Sequence, residues 1–209
     1  MERKIVDGAV RNKEKSKEKF LAAVGEIVKT KGFSALKVNE IAAVAGLDKK
    51  LIYNYFGGTT QLIDEYIKSQ DFWSNVKNEE LNVDINDGGR GLSKAMLLSQ
   101  FDYIFENKEL QKILLWGLLE DRVSLKKLAV DREESGDALF KNISDPHFGE
   151  HSVRYRAIMA LLVSGIYYLD IFASTNEITF CGLDLKSQEG RAAIEEALAF
   201  IIDKAYDSV

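Results

Sequence analysis

Proline and cysteine are almost missing from this sequence: Pro146 and Cys181 are the only ones in 209 residues. So little proline permits long helices and argues against an all-β chain punctuated by turns. A single cysteine excludes an intrachain disulfide and reads as a protein of a reducing compartment. Histidine is scarce too. His147 and His151 lie near Asp145 and Glu150, but the spacing is not that of a helical zinc motif. Pro146 and Gly149 predict a loop there, so no metal or other cofactor is expected. No Gly-x-Ser-x-Gly elbow, phosphate-binding Gly-Lys-Thr loop or dinucleotide glycine motif occurs, which argues against an enzyme. Met1 to Val10 holds no apolar run of signal-peptide type. The longest strongly apolar run, between Arg156 and Asp170, has 13 residues. That is short of the ~20 needed to span a bilayer, so a cytoplasmic protein without a membrane partner is expected.

What is present is apolar content, 46%, and charge that is unevenly placed. The net charge is -5, yet residues 1–56 carry 12 Lys/Arg against 7 Asp/Glu, a balance of +5. The remainder is correspondingly acidic. A basic head on an acidic body fits a chain of which only one end approaches phosphates.

Helical periodicity runs through most of the chain. Residues 13–31 place Phe20, Val24, Ile27 and Val28 on one stripe, and Gly32 ends that helix. Val38 to Val44 predicts a short helix, Ala45-Gly46-Leu47 a turn, and Lys49 to Phe56 a second short helix capped by Asp48. Ile41, Ala42, Ala45 and Leu47 are its expected buried braces, Leu51 or Ile52 is expected to anchor the second helix inward with Phe56, and small Ala42 and Gly46 would let the two helices close up. Gly57-Gly58 is a break, with Thr59 or Thr60 capping a fourth helix to about Lys77. A loop over 82–91 follows. Further helices are expected at about 92–106, 108–120, 122–142, 152–174 and 187–206, with 175–186 a connector. The favoured domain boundary separates 1–58 from 59–209.

Two short helices on a tight turn, the second exposing polar groups, form a DNA-reading unit, because a major groove about 12 Å wide admits one helix. Residues 16–63 resemble the N-terminal domain of the tetracycline-repressor (TetR) family. The shared elements are Lys31-Gly32-Phe33, Val38-x-x-Ile41-Ala42, Ala45-Gly46-Leu47, Ile52-Tyr53-x-Tyr55-Phe56 and Leu62. The resemblance implies that Lys49 and Lys50 meet base edges, that Asn54 is a second base reader, and that Tyr53 and Tyr55 touch phosphates or thymine methyls. Lys37 stands at the start of the supporting helix. Two positions depart from the family pattern: Leu36-Lys37 replaces the usual Ser or Thr, and Thr59 replaces the usual Lys. A basic arm of Arg3, Lys4, Arg11 and Lys13 is the candidate replacement clamp.

The resemblance further implies an all-α chain: a three-helix DNA-binding domain, then a larger helical domain that dimerises and encloses a small-molecule effector. Residues 157–169 are apolar on every face, with Ala157, Ala160 and Ser164 in a small-residue row. The last helix carries Ile194, Leu198, Ile201 and Ala205 on one stripe. These two helices, about 152–174 and 187–206, are the expected homodimer interface. Phe101, Phe105, Trp116, Tyr167, Tyr168 and Phe172 are candidate pocket walls, and each would serve equally as core. The expected function is a repressor that binds double-stranded operator DNA as a dimer and releases it on binding a small apolar or amphipathic ligand. The alternative is a helical ligand- or protein-binding module whose DNA binding has weakened.

Overall fold

The computed structural model describes residues 6–71 and 85–209. Among them the structure is helical throughout, and the only β feature is an isolated bridge between Phe180 and Leu183 in the 175–186 connector. The chain forms two compact units. The first takes in Met1–Asp71 and Lys112–Lys126, the second Phe72–Gln111 and Lys127–Val209.

In the first unit, α1 (Val6–Lys31) begins seven residues earlier than the apolar periodicity foretells. Residues 11–15 are exposed, so apolar periodicity does not mark the start of the helix. Arg11 and Lys13 therefore lie on a helix and are exposed, rather than on a loose arm; Arg3 and Lys4 fall outside the described residues. Phe20, Ala23, Val24, Ile27 and Val28 are all buried, and this stripe packs on α2 (Val38–Ala45) and α4 (Thr59–Ser69). Between α2 and α4 lies α3 (Lys50–Phe56). Thr59 is the first helical residue of α4 and Gly58 occupies the capping position, so neither Thr59 nor Thr60 caps that helix as expected. The proposed continuation of α4 to Lys77 and the start of the 82–91 loop lie outside the described residues.

Trp116 belongs to this unit. Its ring stacks on Phe33 at 3.9 Å, with the Arg122 guanidinium 5.1 Å from the indole. Lys112 Nζ donates to the carbonyls of Val28 and Lys29, at 3.0 and 2.6 Å. A cation at the carboxyl end of α1 satisfies acceptors that the helix itself cannot.

The second unit is built from α5 (Arg90–Glu106), the bulk of α7 (Val123–Leu139), α8 (Ser152–Thr175) and α9 (Gln188–Tyr206). Between the units in sequence, α6 (Lys108–Leu119) runs from one into the other. The core of the second unit gathers Leu97 and Phe101 from α5, Tyr155, Met159 and Ile166 from α8, and Leu198, Ile202, Ala205 and Tyr206 from α9. The inward stripe of α9 thus runs through Ile202, and Ile201, expected on it, is exposed. Residues 145–151 are not a loop. A π-helical turn (Phe140–Ser144) continues from α7 into a one-turn helix (Asp145–Phe148) and a 3-10 turn (Gly149–His151). Pro146 sits in the first turn of its helix, where its missing N–H costs nothing.

Candidate nucleic-acid interface and ligand cavity

Geometry at the α2–α3 turn follows from a few residues. Gly46 ends α2 in the left-handed region, with φ 65° and ψ 32°. The Gly46 N–H donates to Ala43 and the Leu47 N–H to Ala42, at 3.2 and 3.1 Å, the paired closure of a Schellman motif. Nothing lies within 4 Å of where a Gly46 side chain would stand. Its reason is therefore the positive φ, and not the close helix approach expected from its size. Asp48 Oδ1 then accepts the Lys50 N–H at 2.8 Å, although Lys49, not Asp48, occupies the capping position and α3 starts at Lys50 rather than Lys49.

Ile41, Ala42 and Ile52 are buried, while Ala45, Leu47 and Phe56 are half-buried. Phe56 meets the Phe20 ring edge-on at 6.1 Å. With one face so anchored, α3 turns Lys49, Lys50, Tyr53 and Asn54 to solvent, and Tyr53 is 53% exposed. Tyr55 is half-buried, with Lys13 Nζ of α1 5.6 Å from its ring centre. Lys37 is exposed at the start of α2. Lys49 Nζ donates to Asn39 Oδ1 of α2 at 3.1 Å, a contact that sequence reading missed. The six polar or aromatic candidates thus gather around one short helix and its brace.

The second unit contains a cavity of about 500 Å³. Its walls are mostly apolar: Leu92, Met96 and Leu97 of α5, Leu139 at the end of α7, Phe140 and Ile143 of the π-helical turn, and Met159 and Val163 of α8. Polar groups are few. Gln100 Nε2–H donates to the Tyr167 hydroxyl at 2.8 Å on one side, and Ser93 Oγ shares a hydrogen bond of 2.7 Å with the Tyr155 hydroxyl on another. Arg132 and Glu133 of α7 also face it, as does Arg156. Arg156 is committed elsewhere: it bonds Asp145 at 2.6 Å and Asp137 at 2.8 Å and lies 4.9 Å from the Phe140 ring centre. The Arg156 guanidinium holds the Asp145 carboxyl below its usual range, and Lys141 followed by Arg156 does the same for Asp137.

Of the six aromatic residues expected to line a pocket, Tyr167 lines this cavity. The other five lie elsewhere. Phe101 and Phe105 sit beneath the Arg191 guanidinium, 3.9 and 4.0 Å from it, and Trp116 is in the first unit. Tyr168 and Phe172 form an aromatic group with Phe180. Apart from Tyr167 and Phe140, the apolar walls are aliphatic and thioether side chains, which carry no signal in sequence that separates lining from core.

His147 stacks on the Tyr206 ring at 5.0 Å, and among the described residues no group of three or more metal-ligating side chains converges. An 18-residue window within Val123–Thr175 reaches a mean hydropathy of 1.7, enough by length and composition to cross a membrane. The 13-residue apolar run was thus too narrow a measure of α8. In the single chain this helix also leaves Leu161 and Tyr168 open, at 72% and 56% exposure, and α9 leaves Phe200 open at 58%. The expectation that α8 is covered all round is not met by the chain's own folding.

A braced helix-turn-helix in one unit and a cavity in the other define the class: an all-α helix-turn-helix protein. Residues 20–66 match the model of the family described as bacterial regulatory proteins, tetR family. Across 198 residues it is 23% identical to YerO of Bacillus subtilis (strain 168), an uncharacterized HTH-type transcriptional regulator. That match covers 92% of this chain, and the chain spans 64% of the relative's length. The fold is also that of NalD from Pseudomonas aeruginosa, the secondary repressor of the MexAB-OprM multidrug efflux pump. The two share 19% identity and a TM-score of 0.56, over 92% of this chain and 96% of NalD.

Proposed function

We propose that the chain is a transcriptional repressor that binds double-stranded operator DNA as a homodimer and lets go when a small apolar or amphipathic molecule enters the second unit. One observation carries this reading: α3 is fixed by Ile52 and Phe56 while Lys49, Lys50, Tyr53 and Asn54 are left to solvent on its far side. Side chains so placed reach base edges when the helix enters a major groove, Lys to guanine and Asn to adenine. Lys37, Tyr55 and the α1 cations Arg11 and Lys13 are the proposed phosphate contacts. They compensate for Thr59, where a cation is usual.

The functional division we propose is 1–58 for DNA and 59–209 for effector and dimer. The cavity's size and largely apolar walls suit a small organic ligand. The exposed residues Ala157, Leu161, Ser164 and Tyr168 of α8, with Phe200 and Ile201 of α9, suit a two-fold pairing of those helices, which supports an interface role for α8 rather than a membrane span. Such a dimer presents two α3 helices to half-sites one duplex turn apart. Ligand that favours a differently spaced pair lowers DNA affinity by its differential binding energy. A cytoplasmic site of action follows.

The test is binding of the full chain to the DNA upstream of its own gene, titrated with salt. A duplex-specific complex whose log affinity falls with log salt at about -0.9 per phosphate neutralised is expected. Absence of any duplex-specific binding would overturn the regulator in favour of a helical ligand- or protein-binding module.

A further inference from the structure

Asp170 of α8 is 1% exposed, unusual for a charged side chain. Its Oδ1 accepts from Arg191 Nη1 of α9 at 3.1 Å. Its Oδ2 is buried and has no hydrogen-bond partner. Arg191 is only 12% exposed, donates through Nη2 to Asp102 of α5 at 2.9 Å, and lies flat on Phe101 and Phe105. One guanidinium therefore ties three helices together. The other charged groups acting on Asp170 are Asp102 of α5 and Lys108 at the head of α6.

This cluster adjoins the cavity wall. Gln100, which donates to Tyr167 across the cavity side, is the chain neighbour of Phe101, and Tyr167 is one turn before Asp170 on α8. We propose that Asp170, Arg191 and Asp102 form a proton-operated latch between α5, α8 and α9, through which pH adjusts the cavity and, with it, DNA binding. The proposal rests on the reading that the cavity takes an effector and that α8 and α9 pair the subunits.

When both carboxylates are ionised, Arg191 is gripped from two sides, but Asp170 Oδ2 carries charge that no donor compensates. Proton uptake neutralises Asp170 and reduces the ion pair to a hydrogen bond, so Arg191 turns towards the more exposed Asp102. Burial pushes the Asp170 carboxyl up to about 7, against the pull of Arg191. The folded chain then binds more protons than the unfolded chain between about pH 4 and about pH 7, so this group's contribution to stability falls as pH rises through that window.

The test uses the full chain and Asp170→Asn, which keeps shape while removing the titration. Thermal midpoints and affinity for a duplex selected from random sequence by the wild type are followed from about pH 5.5 to about pH 8.5. Relative to Asp170→Asn, the wild-type midpoint is expected to drop with rising pH and to level off above about 7. Its DNA affinity is expected to carry a pH slope of up to tenfold per unit for each Asp170 that titrates, so up to a hundredfold for the dimer, that the variant lacks. His147 and His151 are common to both proteins, so the difference isolates Asp170. Parallel midpoint curves overturn the latch, and parallel affinity curves overturn its link to DNA. If the variant does not fold, carboxyl-carbon NMR of the wild type decides: one aspartate titrating near 7 supports the latch, and all titrating below about 5.5 overturns it. A chain that selects no duplex sinks the regulator reading instead, and the midpoint and NMR results still judge the proton site.

Discussion

Ile52 and Lys49 show how neighbouring residues of one short helix carry separate duties. Ile52 is fully buried, and its side chain fixes which face of α3 points inward. Ile52→Ala should cost about 2–5 kcal/mol of stability through lost transfer energy and a residual cavity. Chemical denaturation would register this as a lower midpoint with unchanged slope. Lys49 is exposed, so Lys49→Ala should leave the midpoint within about 0.5 kcal/mol. It should instead weaken operator binding by about 1–3 kcal/mol and relax base preference at one position. Competition binding against duplexes changed at single positions checks this. A uniform loss over all sequences would mean that Lys49 meets phosphate and not a base.

Among helical elements, the stretch from Phe20 to Phe56 was legible because each signal there has a local cause. Its stripe needs core, its glycine needs a positive φ, and its Asp48 needs an orphan N–H. The reading failed where causes were tertiary. Residues 11–15 of α1 are exposed, so periodicity could not find the start of that helix. The π-helical turn and the helix at Asp145–Phe148 are held by Arg156, which bonds Asp137 before the turn and Asp145 after it. No local pattern announces a staple of that kind. Cavity walls were misassigned for a related reason: aromatic residues stand out in sequence, yet the space is bounded by Met96, Met159 and their aliphatic neighbours.

Gly46→Ala forces a Cβ into the left-handed region and should cost about 1–2 kcal/mol, although the site itself is roomy; denaturation of the variant measures it. Arg156→Gln should flatten the acid limb of the stability curve. Asp145 and Asp137 have lowered folded-state values, so their contribution is present above the ordinary carboxyl range and is lost as pH falls below about 4. Thermal midpoints between about pH 3 and about pH 5 should therefore converge for the two proteins. Curves that stay parallel would mean the staple contributes nothing electrostatically.

For the whole molecule, the decisive quantity is how the exposed apolar faces of α8 and α9 are covered. Leu161 and Tyr168 stand one above the other, two turns apart on α8, and Phe200 is equally open on α9. Single exposed apolar residues are ordinary, but Leu161 and Tyr168 in line on α8, with Phe200 open on α9, suit the proposed pairing surface. Leu161→Glu places a charge at the heart of that surface without touching the buried side of α8, where Tyr155, Met159 and Ile166 lie. In a paired assembly the two-fold axis brings each substitution close to its own copy or to the partner's apolar face, so the penalty is incurred twice. Sedimentation should show dimers for the wild type and monomers for the variant at the same micromolar concentration, with helical content unchanged. Operator affinity should fall far more than a single head's contacts explain, because a monomer loses the effective concentration that tethering gives the second half-site. A variant that stays dimeric and keeps its affinity would move the interface off these helices and leave Leu161 and Tyr168 to be covered by something other than a second copy.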